Sequence, residues 1–171
     1  MDTRLRELER QWRATGSWED EEVFVLARSR ETGEALLRMD GLYLSRLEDS
    51  AAGHGADAQG EIPVYYLWLR FFPDGVAGVT TIPAEAQLVG EWLALDHPHC
   101  SSGEWTQEGA RLEFAQADHP GGIGYTISHY RARLRADGSL DVEGKVRPYE
   151  DPQPRTYGFQ PLPGAGPQGA G

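Results

Sequence analysis

Two stretches, 122–135 and 139–147, flank Ala136-Asp137-Gly138, and this spacing limits the fold more than any other feature of the chain. With that turn, Leu134 falls opposite Leu140 and Ala132 opposite Val142 on one side. On the other side Arg133 falls opposite Asp141 and Arg131 opposite Glu143. Apolar pairs and opposite charges come into register together when the two stretches form one antiparallel hairpin with a dry face and a wet face.

The same period of two runs through the chain from Asp40 onward. Leu42 and Leu44 alternate with Tyr43 and Ser45 in a first strand. Residues 48–61 are small and polar and read as a loop. The stretch 64–72 is a strand apolar on both faces, and 76–82 returns after Pro73-Asp74-Gly75. A three-residue loop ending in Gly suits a type I turn followed by a bulge. It would pair Phe72 with Val76, Phe71 with Ala77 and Leu69 with Val79. Strands at 101–107 and 110–117 meet around Glu108-Gly109, which sets Trp105 across from Leu112. Residues 148–154 form a loop, and 156–161 are a last strand. Sequential hairpins and about eight strands predict an up-and-down antiparallel barrel, because that number commonly closes on itself. The expected fold class is mainly β, an up-and-down antiparallel barrel of about eight strands with a short N-terminal helical hairpin.

Residues 1–36 carry the helical period instead. Asp2-Thr3 can cap a helix with Leu5, Leu8 and Trp12 on one face, and Thr15-Gly16 stops it. Ser17 with Asp20 caps a second helix whose stripe includes Val23 and Leu26, and Gly33 ends it. Two short amphipathic helices must dock on something else. Leu88, Trp92 and Leu95 predict one more short helix near 84–94. The expected organisation is a helical hairpin over 1–36, a barrel domain over 37–162 and a disordered tail over 163–171.

Charge excludes several partners. Sixteen basic against 27 acidic residues give a net charge of −11, which repels phosphate backbones and anionic lipid surfaces. No nucleic acid and no membrane partner is expected, and no apolar run approaches the roughly 18–20 residues of a span. The charged opening, Met1-Asp2-Thr3-Arg4, does not read as a secretory signal. One cysteine, Cys100, excludes an intrachain disulfide and suits a reducing, cytoplasmic setting. Lys145 is the one lysine among 16 basic residues, a bias that suits a G+C-rich genome.

The segment from Val64 through Gly75, Val-Tyr-Tyr-Leu-Trp-Leu-Arg-Phe-Phe-Pro-Asp-Gly, is followed by Thr80-Thr81-Ile82-Pro83. It resembles a stretch of the C-terminal domain of the F-box only protein 9 family. Asp40-Gly41-Leu42-Tyr43-Leu44-Ser45-Arg46 is similar to that domain's first strand. A looser pattern, in which Gly103-Glu104-Trp105, Gly109, Leu112 and Phe114 form the second half, resembles small bacterial lipocalin-like (calycin) domains. The resemblance covers roughly residues 40–161 and is concentrated over 64–83. Residues 1–36 lack a Leu-Pro-rich F-box opening, so a ubiquitin-ligase role does not carry over. What the resemblance implies is a barrel that binds something, with no catalytic residues attached.

The residues themselves suggest where. Tyr65, Leu67, Leu69 and Phe71 share a face with Val79 of the return strand; that face is assigned to the interior. Trp105, Phe114 and Tyr130 are placed there as well, as ligand-lining or core residues. The opposite face carries Tyr66, Trp68, Arg70 and Phe72, too apolar to stay wet. Either the N-terminal helices cover it or a partner protein docks there. Reversed faces would instead put Arg70 inside, against a ligand carboxylate. His97, His99 and Cys100 lack the further ligands a metal site needs, and Gly121-Gly122-Ile123-Gly124 lacks the strand–turn–helix setting of a phosphate loop. No metal, cofactor or catalytic residue is expected. The expected function is a non-enzymatic module holding a small apolar or amphipathic ligand; the alternative is a protein-interaction domain using the outer aromatic wall and the helices.

Overall fold

A computed structural model describes residues 3–48, 64–81, 84–117, 127–144 and 153–163. Its strands are β1 (Gly41–Glu48), β2 (Val64–Phe72), β3 (Gly75–Thr81), β4 (Ser101–Gly103), β5 (Trp105–Glu108), β6 (Arg111–Ala117), β7 (Ile127–Leu134), β8 (Leu140–Gly144) and β9 (Gln153–Pro161). Apart from β4 and β5, each pairs antiparallel with its neighbours in chain order, and β1 pairs with β9. β4 and β5 are two pieces of one bent strand, since both lie along β6 while β4 also pairs with β3. The result is the expected closed, eight-stranded, up-and-down barrel. Gly103 stands at the bend, where a Cβ would lie 1.8 Å from the Ala115 carbonyl oxygen. Only a glycine lets the two backbones approach so closely.

The β7–β8 register is the one the charges and apolar pairs dictate: Leu134 opposite Leu140, Arg133 opposite Asp141, Ala132 opposite Val142 and Arg131 opposite Glu143. Two other registers need correction. β2 and β3 pair Phe72 with Gly75, Phe71 with Val76 and Leu69 with Gly78, one residue from expectation. Gly75 does not form a left-handed bulge. It is the first residue of β3, and a Cβ there would press on the Leu95 side chain at 2.8 Å and the Gly103 carbonyl oxygen at 2.9 Å. The shift by one exchanges the faces of β3, so Val76 turns inward and Val79 outward. In the next hairpin the loop is Gly109-Ala110 with Gly109 at φ 61°, and Trp105 pairs with Phe114, not Leu112. β9 starts at Gln153, before the expected strand, whereas the expected beginning of the 122–135 strand lies partly outside the described residues.

The two ends of the barrel differ in their connections. The turns at 73–74, 109–110 and 135–139 share one end with the start of β1 and the end of β9. The connections 49–63, 82–100, 118–126 and 145–152 leave from the other.

Two helices close the first end. α1 (Thr3–Thr15) and α2 (Trp18–Thr32) are separated as the sequence indicates. Gly16 is at φ 62°, the Ser17 hydroxyl accepts from the Asp20 amide at 3.2 Å, and Gly33 ends α2 at φ 70°. Trp12 stacks on Phe24 with centroids 5.5 Å apart. Phe24 and Val25 are buried in the same core as Leu112, Leu134, Ala136 and Leu140. Each such burial is worth roughly 1.5–3 kcal/mol. The expected stripe through Val23 is displaced: Val23 is 50% exposed, and the docked face runs through Glu21, Phe24 and Val25. Glu21, 3% exposed, accepts the Ala136 amide at 2.9 Å and pairs with Arg135 Nε at 2.9 Å. Arg28 donates to the Ala136 carbonyl at 2.7 Å, and Arg111 pairs with Glu22 at 2.9 Å. The helices are therefore a floor to the barrel and not, as the sequence suggested, a cover for its outer wall.

That wall has another cover. A third helix, α3 (Ala86–Trp92), lies over Leu42, Trp68 and Ala77 with Val89, Leu93 and Cys100. The apolar side of α3 runs through Val89 and Leu93, while Leu88, expected on that side, is 57% exposed. Leu162 packs on Gly90, where a Cβ would lie 2.6 Å from it, and its amide donates to the Asp40 carbonyl at 3.1 Å.

Candidate binding site in the barrel interior

Alternation along the strands turns Tyr65, Leu67, Leu69 and Phe71 inward from β2. Leu67, Leu69, Phe71, Trp105, Phe114 and Tyr130 meet in one interior cluster, as expected from the sequence. Phe71 is its hub. Its ring stands edge-on to Tyr43 at 5.7 Å, Trp105 at 5.8 Å and Phe114 at 5.7 Å. Trp105 Nε1 donates to the Phe72 carbonyl at 2.8 Å, which ties the bent strand to the β2–β3 turn. Tyr65 is half-buried on the inward side. Val79, expected inside, is instead on the outer wall opposite Trp68.

The interior changes character along its axis. Beside the helical floor Tyr43 and Leu140 are 0% exposed and Phe71, Leu112 and Leu134 are 1% exposed, while Trp105 and Phe159 are half-buried and Gln107 is exposed. Toward the opposite end the inward side chains of Tyr65, Leu67, Ser128, Tyr130 and Arg155 are half-buried, and Thr80 is exposed. Tyr130 stacks on Phe114 with centroids 4.8 Å apart and planes at 17°. Its ring lies across Gly144, where a Cβ would sit 2.0 Å from the ring.

Polar groups gather in this same half. Ser45 and Gln116 are each 6% exposed. The Gln116 amide lies against Gly78, where a Cβ would come within 2.5 Å of Nε2, and that nitrogen has no hydrogen-bond partner. Arg155 and Tyr157 alternate inward from β9, with Arg155 opposite Val142 and Tyr157 opposite Leu140. Arg155 and Tyr157 stand two residues apart on the same inward side of β9. Burial pushes the Tyr157 phenol up to about 12, with Arg155 pulling the other way. The phenol therefore keeps its proton at neutral pH and remains a donor.

These polar residues were not expected from the sequence. Arg155 lies between the loop read over 148–154 and the last strand read over 156–161. The alternation of Arg155, Tyr157 and Phe159 was the available signal.

The outer residues have structural partners. Trp68 is 2% exposed and donates from Nε1 to Thr81 Oγ1 at 3.0 Å. Arg70 points outward, across the Phe72 ring at 4.9 Å, and donates to the Gly90 carbonyl at 2.8 Å. It caps α3 with a cation where the helix dipole is negative. Burial lowers its pKa, yet it remains charged. Tyr66 and Phe72 are half-buried against the same cluster. Arg70 therefore does not face the interior, and this wall serves to hold α3.

Cys100 is buried, its Sγ 3.7 Å from His97 Nδ1, and burial raises its pKa. No group of three or more His, Cys, Asp or Glu side chains suited to a metal ion occurs among the described residues. The Gly121–Gly124 segment, most of the 48–61 loop and all of the 163–171 tail except Pro163 lie outside those residues. No helix among the described residues is long and apolar enough to cross a membrane. No protein-family model, curated protein or solved structure matches the chain.

Proposed function

We propose that this protein is a non-enzymatic binding module that holds a small apolar or amphipathic ligand in the open half of its barrel. One observation carries the reading: inward-facing Tyr65, Leu67 and Tyr130 are half-buried, while Tyr43, Phe71, Leu112, Leu134 and Leu140 nearer the helical floor are at most 1% exposed. A barrel built only as a core would bury such aromatic and aliphatic side chains fully. The kinship suggested by the 64–83 segment, with the F-box only protein 9 C-terminal domain and bacterial lipocalin-like domains, agrees with a binding role in a reducing cytoplasm. Docking of a partner on the aromatic wall is disfavoured, because Trp68 and Leu42 lie beneath α3.

Native mass spectrometry of the purified protein, compared with its denatured mass, tests the reading. The expected result is a discrete adduct of small-molecule size that is lost on denaturation, or one that forms when amphipathic compounds are added. A chain that stays bare against a broad panel of such compounds overturns it.

A further inference from the structure

Inward side chains shrink along the barrel axis. On β1 the inward residue passes from Tyr43 to Ser45, on β3 from Val76 to Gly78, and on β8 from Leu140 through Val142 to Gly144. Both glycines face inward, since a Cβ would lie 2.5 Å from the Gln116 side chain at Gly78 and 2.0 Å from the Tyr130 ring at Gly144. Side chains just fill an eight-stranded barrel, so smaller ones leave room for one small ligand. The rings change their packing along the same axis. Around Phe71 they meet edge to face, at 88° with Tyr43, 87° with Trp105 and 86° with Phe114. Tyr130 and Phe114 instead lie nearly parallel, and Gly144, opposite Tyr130 on β8, sets no side chain against that ring. Phe114 is buried and Tyr130 half-buried, so the uncovered surface of the pair belongs to Tyr130. With β4 and β5 counted as one strand, β2 is four strands from β7 in either direction around the closed sheet. Tyr65 and Leu67 therefore bound the space on the side away from the stacked pair.

We infer that the open half takes a ligand with a planar aromatic ring system, which continues the Phe114–Tyr130 stack; the inference rests on the barrel-binding reading above. Stacked aromatic pairs hold together better than their buried area alone accounts for, by roughly three- to tenfold in affinity. A rigid ring also loses less conformational freedom on entering than a flexible chain of the same size. Such a chain gains nothing from parallel rings that leucines would not give it. The floor cannot play this part, because Phe71 is buried among three rings that already occupy it.

Calorimetry on the full chain compares naphthylmethanol with its fully saturated counterpart, decahydronaphthylmethanol. The two share a carbon skeleton and a hydroxyl and differ in planarity and π-electrons. Hydrophobicity alone favours the saturated compound, whose extra hydrogens enlarge its apolar surface. The aromatic compound should nevertheless bind about three- to tenfold more tightly, with its ring protons shifted upfield in the NMR spectrum by the protein rings. Tyr130→Leu should erase that preference while leaving the saturated compound within about threefold. Gly144→Ala, which displaces the ring without removing it, should reduce the preference. Equal binding, or tighter binding of the saturated compound, to the unmodified protein overturns the stacking assignment and leaves the barrel reading intact. Binding of neither also overturns the stacking assignment; together with a bare protein in the mass-spectrometric panel it overturns the barrel reading as well. Because the comparison of the two compounds uses the unmodified protein, it stands even if Tyr130→Leu fails to fold. A preference that survives Tyr130→Leu in a protein with an unchanged far-ultraviolet spectrum places the ring elsewhere and overturns the assignment.

Discussion

The two halves of this barrel are made from the same eight strands and yet are built to different ends. At the floor, short turns and two helices bury Tyr43, Leu112, Leu134 and Leu140, and Phe71 touches three aromatic rings there. Even the one buried acid in that region, Glu21, has two partners. In the other half, connections are longer, inward side chains are half-buried, and Gln116 keeps an unpaired nitrogen. Stability comes chiefly from surface removed from water and from satisfied polar groups, so it should concentrate at the floor. Unpaired buried nitrogens occur in both halves, Gln116 Nε2 in the open one and Trp18 Nε1 beside the floor, so burial and not polar satisfaction separates them.

The sharpest way to break this contrast is to shorten one side chain in each half. Phe71→Ala should cost about 3–5 kcal/mol, because the three rings around it cannot all collapse into the space. Leu67→Ala, at a half-buried position, should cost about 1–2 kcal/mol, below the range for fully buried leucines. Urea unfolding of the two variants gives the comparison directly. Equal losses would mean that the open half is packed as tightly as the floor.

A smaller effect tests how the floor is fastened. Glu21→Ala removes an acceptor from the Ala136 amide and one of two acidic partners of Arg135, which keeps Asp141. The expected loss is roughly 2–3 kcal/mol, set by the amide left buried without a partner and tempered by the surviving ion pair. If the melting curve is unchanged, the helices are passengers and not a floor.

How much of this was legible beforehand depended on whether a pattern had one solution. The β7–β8 register was fixed because apolar pairs and opposite charges agreed on it. The β2–β3 register was not, since β2 is apolar on both faces and either shift buries something. There the deciding contact, Gly75 against Leu95 and Gly103, joins residues far apart in the chain. The outer wall was correctly read as needing a cover, but the choice between helices belongs to tertiary packing. Arg70 decides it by reaching the Gly90 carbonyl 20 residues on. Of the site, the aromatic lining was legible from alternation. The polar residues were missed because Arg155 fell one residue outside the strand as drawn and Gln116 is unremarkable until Gly78 is placed opposite it.

A modest prediction concerns the open half alone. Gly144→Ala forces the Tyr130 ring off its place, since the added methyl would overlap the ring atoms. The expected cost is about 1–3 kcal/mol, with a loss of near-ultraviolet circular dichroism from the Tyr130–Phe114 stack. A variant that keeps that signal at full stability would show the ring to be free to move, which argues for a roomier interior than its contacts imply.

The smallest effect reads both halves at once through two tyrosines. Tyr43 in the floor and Tyr157 beside Arg155 are each pushed up to about 12 by burial. In the unfolded chain both ionise near 10. Below that pH the phenols are neutral in both states, and the stabilisation is complete. As pH rises from about 10 toward 12, the unfolded state gives up protons first, so stability falls over that window. Ultraviolet titration should therefore find Tyr43 and Tyr157 ionising late, together with unfolding. Each half has its own arginine to move its own phenol. Arg155 holds the Tyr157 value down, and Arg38 does the same for Tyr43, which also accepts the Arg38 amide at 3.1 Å. Arg155→Gln should delay one of the two late phenols and leave the other in place; Arg38→Gln should delay the other. If Arg155→Gln moves neither, the guanidinium does not face Tyr157. The open half then loses the charge that distinguishes it from the floor.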